Sequence, residues 1–308
     1  MSDLIPIAEP IIESLNDPLM SQRDIRLDLL RLDTIHPLVN GNKWFKLKLN
    51  LQAALNGGQS KLLSFGGAYS NHIHALAAAS SLLNVKSVGV IRGESPSPLN
   101  PVLQFAQDQG MELHFVSRSD YRLKQTAEFI ATLRDQFGDF YLIPEGGSND
   151  LGVQGCEEII EYVCPLEETP YYREKCFLAV ACGTGATLAG LIRGATRRQL
   201  EIQLLGVAVL KGAGFLIEEV NSWLNDGQLT KSAPKWQIEL DYHCGGYGRQ
   251  NAELVSFVER FGQVNQVLIE PVYTGKLLYG IYDLIQKGAI APGSRVIAIH
   301  TGGVRLTR

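Results

Sequence analysis

Cysteine is scarce in this chain: five among 308 residues, at positions 156, 164, 176, 182 and 244, with no C-x-x-C. An odd number at irregular spacing excludes a disulfide framework and a zinc site, so all five are read as reduced and mostly buried thiols. His72 and His74 stand two apart, and a helix would turn them to different faces, so no metal pair is expected there either. Long apolar runs are also missing, and none approaches the ~18 residues of a membrane span. The opening stretch MSDLIPIAEPIIESLNDP lacks the basic start and apolar run of a secretory leader, which makes the cytoplasm the expected location. Charged residues make up 19%, against a usual ~25%. The net charge of −4 and pI near 5.9 exclude a general nucleic-acid-binding surface, which is normally basic.

Glycine is abundant at 31 residues, and hydrophobic residues reach 45%. Together with the low charge, this composition fits a compact α/β protein. The length corresponds to about two domains or one large α/β unit, at roughly 150 residues per domain. Nearly continuous apolar runs recur between helical patterns: KLLSF (61–65), KSVGVI (86–91), ELHFV (112–116) and FYLI (140–143) in one series, then CFLAVA (176–181), QLLGVAV (203–209), QVLIE (266–270) and RVIAI (295–299). Unbroken runs of this kind are the pattern of parallel strands buried on both faces. Helices are expected over 72–83, 100–110 and 187–198. The alternation predicts a doubly wound α/β fold with mostly parallel sheets. The glycine-rich stretch PEGGSNDLGVQG (144–155) reads as a crossing between two lobes.

Two local patterns carry chemistry. The strand CFLAVAC runs into Gly183-Thr184-Gly185-Ala186-Thr187 and then a helix. Glycines let successive N–H groups turn into one cup, threonines add hydroxyls, and the helix N-terminus adds partial positive charge, which together make an anion cradle. A ligand-free strand-to-helix turn has the same letters and stays open as a reading. A P-loop does not fit, because its lysine is missing, and a dinucleotide fingerprint does not fit, because Leu188 stands where a small residue belongs and no acid closes the next strand. A monophosphate is the better guest. The second pattern is VNGNKWFKLKLN (39–50), a turn running into three lysines and two aromatics without an acid. A lysine nucleophile beside a phosphate cup suggests pyridoxal phosphate, whose aldehyde condenses with a lysine amine.

The ordered set GNKWFKLKLN, LLSFGGAYSNHIHALAAAS, ACGTGATLAG, GGYGRQN, EPVYTGK and HTGG resembles the D-cysteine desulfhydrase and 1-aminocyclopropane-1-carboxylate (ACC) deaminase family, within the tryptophan-synthase-β-like, fold-type-II pyridoxal-phosphate enzymes. The resemblance runs from about residue 25 to the C-terminus. It implies two lobes, a large cofactor-binding one from residues 1–49 and 156–308 and a small one from 50–155, and a homodimer acting on a small amino acid. It further implies that Lys43 carries the cofactor and Lys46 reaches its phosphate, leaving Lys48 as a solvated lysine. Gly183, Thr184, Gly185, Ala186 and Thr187 would hold the phosphate, and Asn71 would meet the ring hydroxyl. Ser70, Tyr247 and Tyr273 would face the substrate, although Tyr69 replaces the glutamine that usually precedes the serine. Thr274 stands where ACC deaminases carry a glutamate that protonates the pyridine nitrogen, and Thr301 where they carry leucine. A threonine hydroxyl can only hydrogen-bond the nitrogen, which suits β-elimination better than opening a cyclopropane ring. The resemblance therefore implies D-cysteine desulfhydrase-like chemistry, with ACC deamination, serine dehydration and cofactor-free anion binding as successively weaker readings.

Overall fold

The computed structural model describes residues 4–163, 176–224 and 233–303. In chain order its strands are β1 (Ile11–Ser14), β2 (Ile25–Arg31), β3 (Lys61–Gly67), β4 (Lys86–Arg92), β5 (Met111–Val116), β6 (Tyr141–Ile143), β7 (Cys176–Cys182), β8 (Gln203–Ala208), β9 (Trp236–Glu239) and β10 (Ser294–His300). Its helices are α1 (Pro18–Gln22), α2 (Asn42–Asn56), α3 (Asn71–Leu82), α4 (Pro101–Asp108), α5 (Arg118–Tyr121), α6 (Ala127–Phe137), α7 (Asp150–Glu157), α8 (Ile159–Val163), α9 (Ala186–Arg197), α10 (Phe215–Leu224), α11 (Ala252–Asn265) and α12 (Thr274–Gln286). Among the described residues none of these helices is long and apolar enough to cross a membrane.

The chain divides into two compact units, residues 4–7 with 36–152 and residues 8–35 with the described part of 153–303. The first unit holds a fully parallel sheet in the order β5-β4-β3-β6. Its helices start where local side chains satisfy the first amides: Ser70 caps α3, Asn100 caps α4 ahead of Pro101, and Thr126 caps α6. Leu63, Phe65, Val88 and Val90 meet Leu133, Phe137 and Phe140 in its core. Full burial of such a side chain is worth about 1.5–3 kcal/mol.

The second unit holds a six-stranded sheet, β1-β2-β10-β7-β8-β9, parallel except for β1. The doubly wound, mostly parallel α/β class is thus what the chain forms. Leu27, Leu29, Ala179, Val207 and Val296 from the sheet pack against Leu277, Ile281 and Ile285 of α12. The free thiols of Cys156, Cys176 and Cys182 are buried and Cys244 is half-buried, while Cys164 lies outside the described residues.

One expected strand is absent: among the described residues QVLIE (266–270) joins no ladder. Gln266 turns left-handed at φ 55° to end α11, and Val267 and Ile269 then point into the core while Leu268 faces out. Conversely β1, β2 and β9 were not expected. β2 carries arginines and aspartates, and its Asp28 is fully buried only because Ser14, Arg26 and Arg295 all donate to it at 2.7–3.1 Å. The glycine-rich stretch at 144–155 becomes a 3-10 turn at Glu145–Gly147 and then α7, and a Cβ on Gly152 would overlap the Gly147 carbonyl oxygen.

Candidate active site

In the first unit the lysine turn opens α2. Gly41, at φ 68°, precedes the helix, and neither a capping side chain nor an acid sits in the first turn. Lys43 is half-buried, whereas Lys46 is only 2% exposed and donates from Nζ to Ser148 Oγ at 3.3 Å. Ser148 is held in place by a reciprocal amide pair: Asn50 Nδ2 donates to Asn149 Oδ1 at 3.1 Å, and Asn149 Nδ2 donates back at 2.7 Å. His72 lies beside both lysines. Burial and the two nearby ammonium groups hold its imidazole well below the usual range, so it is neutral. Its Nε2 meets Ser64 Oγ at 2.8 Å, and its buried Nδ1 has no hydrogen-bond partner among the described residues.

Ser70 and Asn71 are half-buried at the start of α3, where Ser70 Oγ accepts from Ile73 N at 3.3 Å. Tyr69 stands out at 70% exposure. His74 turns away from His72 and stacks on Phe105, centroids 3.9 Å apart. Lys48 is half-buried rather than fully solvated, with Nζ over the Phe45 ring at 5.8 Å from its centroid.

In the second unit β7 delivers the chain to Gly183, and Gly185 adopts the left-handed conformation at φ 76° and ψ −23° before α9 begins at Ala186. Gly185 offers α9 no capping side chain and no acid sits in its first turn, so this helix start suits an anion. Thr187 is buried in that turn and Thr184 is exposed beside it. Gly185 is required by its positive φ, and both positions are tight. A Cβ on Gly183 would lie 3.3 Å from the Tyr273 ring, and one on Gly185 would press Val220 Cγ2 at 3.0 Å.

Tyr273 therefore sits directly against the cup. Its hydroxyl donates to the Tyr247 hydroxyl at 3.1 Å, and the rings meet edge to face, centroids 5.9 Å apart. Tyr247 is carried by a turn in which Gly245, Gly246 and Gly248 all have positive φ. That turn is fixed from below by Lys276, 0% exposed, whose Nζ donates to Gly246 O at 2.8 Å and Val209 O at 3.3 Å. Desolvation lowers the pKa of this ammonium.

Thr274 opens α12 and is completely buried, with no hydrogen-bond partner for Oγ1 among the described residues. It lies near enough to Glu270 for its hydroxyl to favour the charged carboxylate, without reaching hydrogen-bonding geometry. Thr301 follows β10, nearly buried. The preceding His300 has both nitrogens committed: Nδ1 accepts from Gly302 N at 3.2 Å, and Nε2 meets the Leu268 carbonyl at 2.9 Å as donor. Burial lowers its pKa, opposed in part by Asp33.

The structure thus groups Lys43, Lys46, Ser70 and Asn71 in one unit, and the 183–187 cup, Tyr247, Tyr273, Thr274 and Thr301 in the other. Two features of the second unit suit a phosphorylated heteroaromatic: an uncapped glycine cradle and an orphaned buried hydroxyl at Thr274. Lys276, Glu270 and His72 went unassigned from the sequence, although each stands inside a motif already singled out, EPVYTGK or SNHIH.

Residues 19–302 match the family described as pyridoxal-phosphate dependent enzyme. A Pyrococcus horikoshii protein named as a putative 1-aminocyclopropane-1-carboxylate deaminase is 29% identical over 308 residues, covering 98% of this chain and 91% of its own. D-cysteine desulfhydrase of Klebsiella pneumoniae is 28% identical over 285 residues, covering 89% and 85%. The crystal structure of an ACC deaminase homologue superposes with a TM-score of 0.83 at 27% identity, over 98% of this chain and 91% of that one. With the family match spanning nearly the whole of both units, the chain belongs to the pyridoxal-phosphate dependent enzymes and has their tryptophan-synthase-β-like, fold-type-II architecture.

Proposed function

We propose that the chain is an amino-acid lyase of the D-cysteine desulfhydrase type, converting D-cysteine and water to pyruvate, ammonia and hydrogen sulfide. When bound, pyridoxal phosphate supplies an aldehyde for an amine and a ring that withdraws electrons from Cα. Lys43 is the residue that carries it and that takes the Cα proton in its neutral form. The 183–187 cup and Lys46 hold the phosphate, Asn71 orients the ring, and Ser70 with the bonded Tyr273–Tyr247 hydroxyl pair faces the substrate.

The observation that carries the reaction type is the Thr274 hydroxyl, buried at the start of α12 and without a hydrogen-bond partner among the described residues. A hydroxyl is a neutral partner for a pyridine nitrogen, so the ring stores less carbanion charge, and departure of a good β leaving group relieves that need. ACC deamination is the second reading, supported by the name of the Pyrococcus relative. The test is a pyruvate and 2-oxobutyrate release assay over D- and L-cysteine, chlorinated alanines and ACC. Pyruvate from D-cysteine with little 2-oxobutyrate from ACC is expected, and efficient ACC turnover overturns the reading. Borohydride reduction and peptide mapping should place the pyridoxyl group on Lys43; finding it on Lys46 overturns that assignment. The family resemblance also supports a homodimer, for which light scattering should give twice the 33.8 kDa chain mass.

A further inference from the structure

Every backbone amide from 272 to 275 ends on one residue. Glu270 accepts from Val272 N at 2.6 Å, from Tyr273 N at 2.9–3.0 Å and from Thr274 N at 2.6 Å through its carboxylate, and from Gly275 N at 2.8 Å through its carbonyl. Pro271, between them, has no N–H to satisfy. Gly275 is required for this closure, because a Cβ there would lie 2.8 Å from the Glu270 carbonyl oxygen. An ordinary helix start is capped by Ser, Thr, Asp or Asn adjoining the first turn, with a short polar side chain. Here a longer, half-buried residue reaches its carboxyl forward from four residues before Thr274, and burying an acid costs more than burying a hydroxyl. The arrangement secures something that a simple cap does not. It immobilises both flanks of Tyr273 and fixes the backbone of Thr274; the Tyr273 hydroxyl points to Tyr247, and the Thr274 hydroxyl makes no hydrogen bond among the described residues.

We infer that Glu270 is the positioning residue of this site: its carboxylate clamps residues 272–274 and thereby aims the Tyr273 and Thr274 hydroxyls as one rigid pair. The inference rests on the reading that these two residues meet substrate and cofactor. Glu270 holds residues 272–275 and not the 183–187 segment itself, although Tyr273 touches the cup, so its loss should damage the chemistry more than phosphate binding. The amide of a glutamine would set its own N–H groups against those of the backbone, whereas aspartate keeps the carboxylate one methylene shorter.

In Glu270→Gln holoenzyme, kcat/KM for D-cysteine should fall roughly tenfold or more, while the Kd for pyridoxal phosphate stays within about threefold and amide hydrogen exchange at 272–274 accelerates. Glu270→Asp should recover most of both losses. Unchanged kcat/KM and exchange in Glu270→Gln overturn the inference. It is equally overturned if cofactor affinity falls in step with kcat/KM and aspartate rescues nothing, since Glu270 is then only a prop for the fold. Should Glu270→Gln fail to fold, Glu270→Asp alone decides, with wild-type-like exchange supporting the clamp and unprotected 272–274 amides overturning it. If the unmodified protein binds no pyridoxal phosphate, the proposed function fails, and the exchange measurements still judge the clamp.

Discussion

Two helices of the same unit begin in opposite ways. α9 starts from a glycine that supplies no capping side chain, while α12 starts with its leading amides gathered onto Glu270. Both ends present the same partial positive charge. One is left open to an anion from outside, and the other is filled by an anion the chain carries. The contrast shows how a fold separates binding from positioning: the open end gives affinity for a phosphate, and the closed end gives a fixed direction to the residues that follow it.

The largest effect should come from closing the open end. Gly185→Val places a β-branched residue at φ 76° and pushes its Cβ onto Val220, so the Kd for pyridoxal phosphate should rise by about 50-fold or more, as equilibrium titration would read. Unchanged affinity in a folded variant would show that the turn is only a connection. Changing the charge at the other end comes next. Burial outweighs the amide donors and pushes the Glu270 carboxyl up to about 7 from 4.5. A carboxyl raised in the folded state stabilises fully below its unfolded pKa, and that contribution is lost as pH rises through its folded pKa. Wild type should therefore lose up to about 3 kcal/mol relative to Glu270→Gln between pH 4.5 and 7, measured by urea unfolding at each pH.

Putting an acid beside the closed end sharpens the comparison differently. Thr274→Glu with Thr301→Leu should lower D-cysteine turnover about tenfold and raise 2-oxobutyrate release from ACC, provided the exposed Tyr69 lets the ring enter. The smallest change is at an ordinary helix start. Ser70→Ala removes the acceptor for Ile73 N and should cost about 1 kcal/mol of stability, leaving phosphate affinity unaltered.

Much of the fold is legible in the letters, because strands buried on both faces require continuous apolar runs whatever surrounds them. QVLIE has the same letters and no ladder among the described residues, since two inward apolar side chains serve a packed connection as well as a strand. β2 escaped notice for the converse reason: its Asp28 reads as polar until arginines from two strands neutralise it. In the site, lysines and glycines announce themselves through local spacing, but Glu270 and Lys276 could not. A surface glutamate and a buried one look alike in sequence, and only the packing around α12 distinguishes them.

His300 has a consequence for acid tolerance. With Nδ1 receiving the Gly302 amide and burial disfavouring the imidazolium, its contribution to stability is intact above the ordinary histidine pKa and drains away as pH falls below it. Glu270 slopes the other way. The two groups therefore pull stability in opposite directions as pH falls, and a protein deprived of Glu270 should lose stability more steeply on acidification, with the buried His72 adding to the same loss.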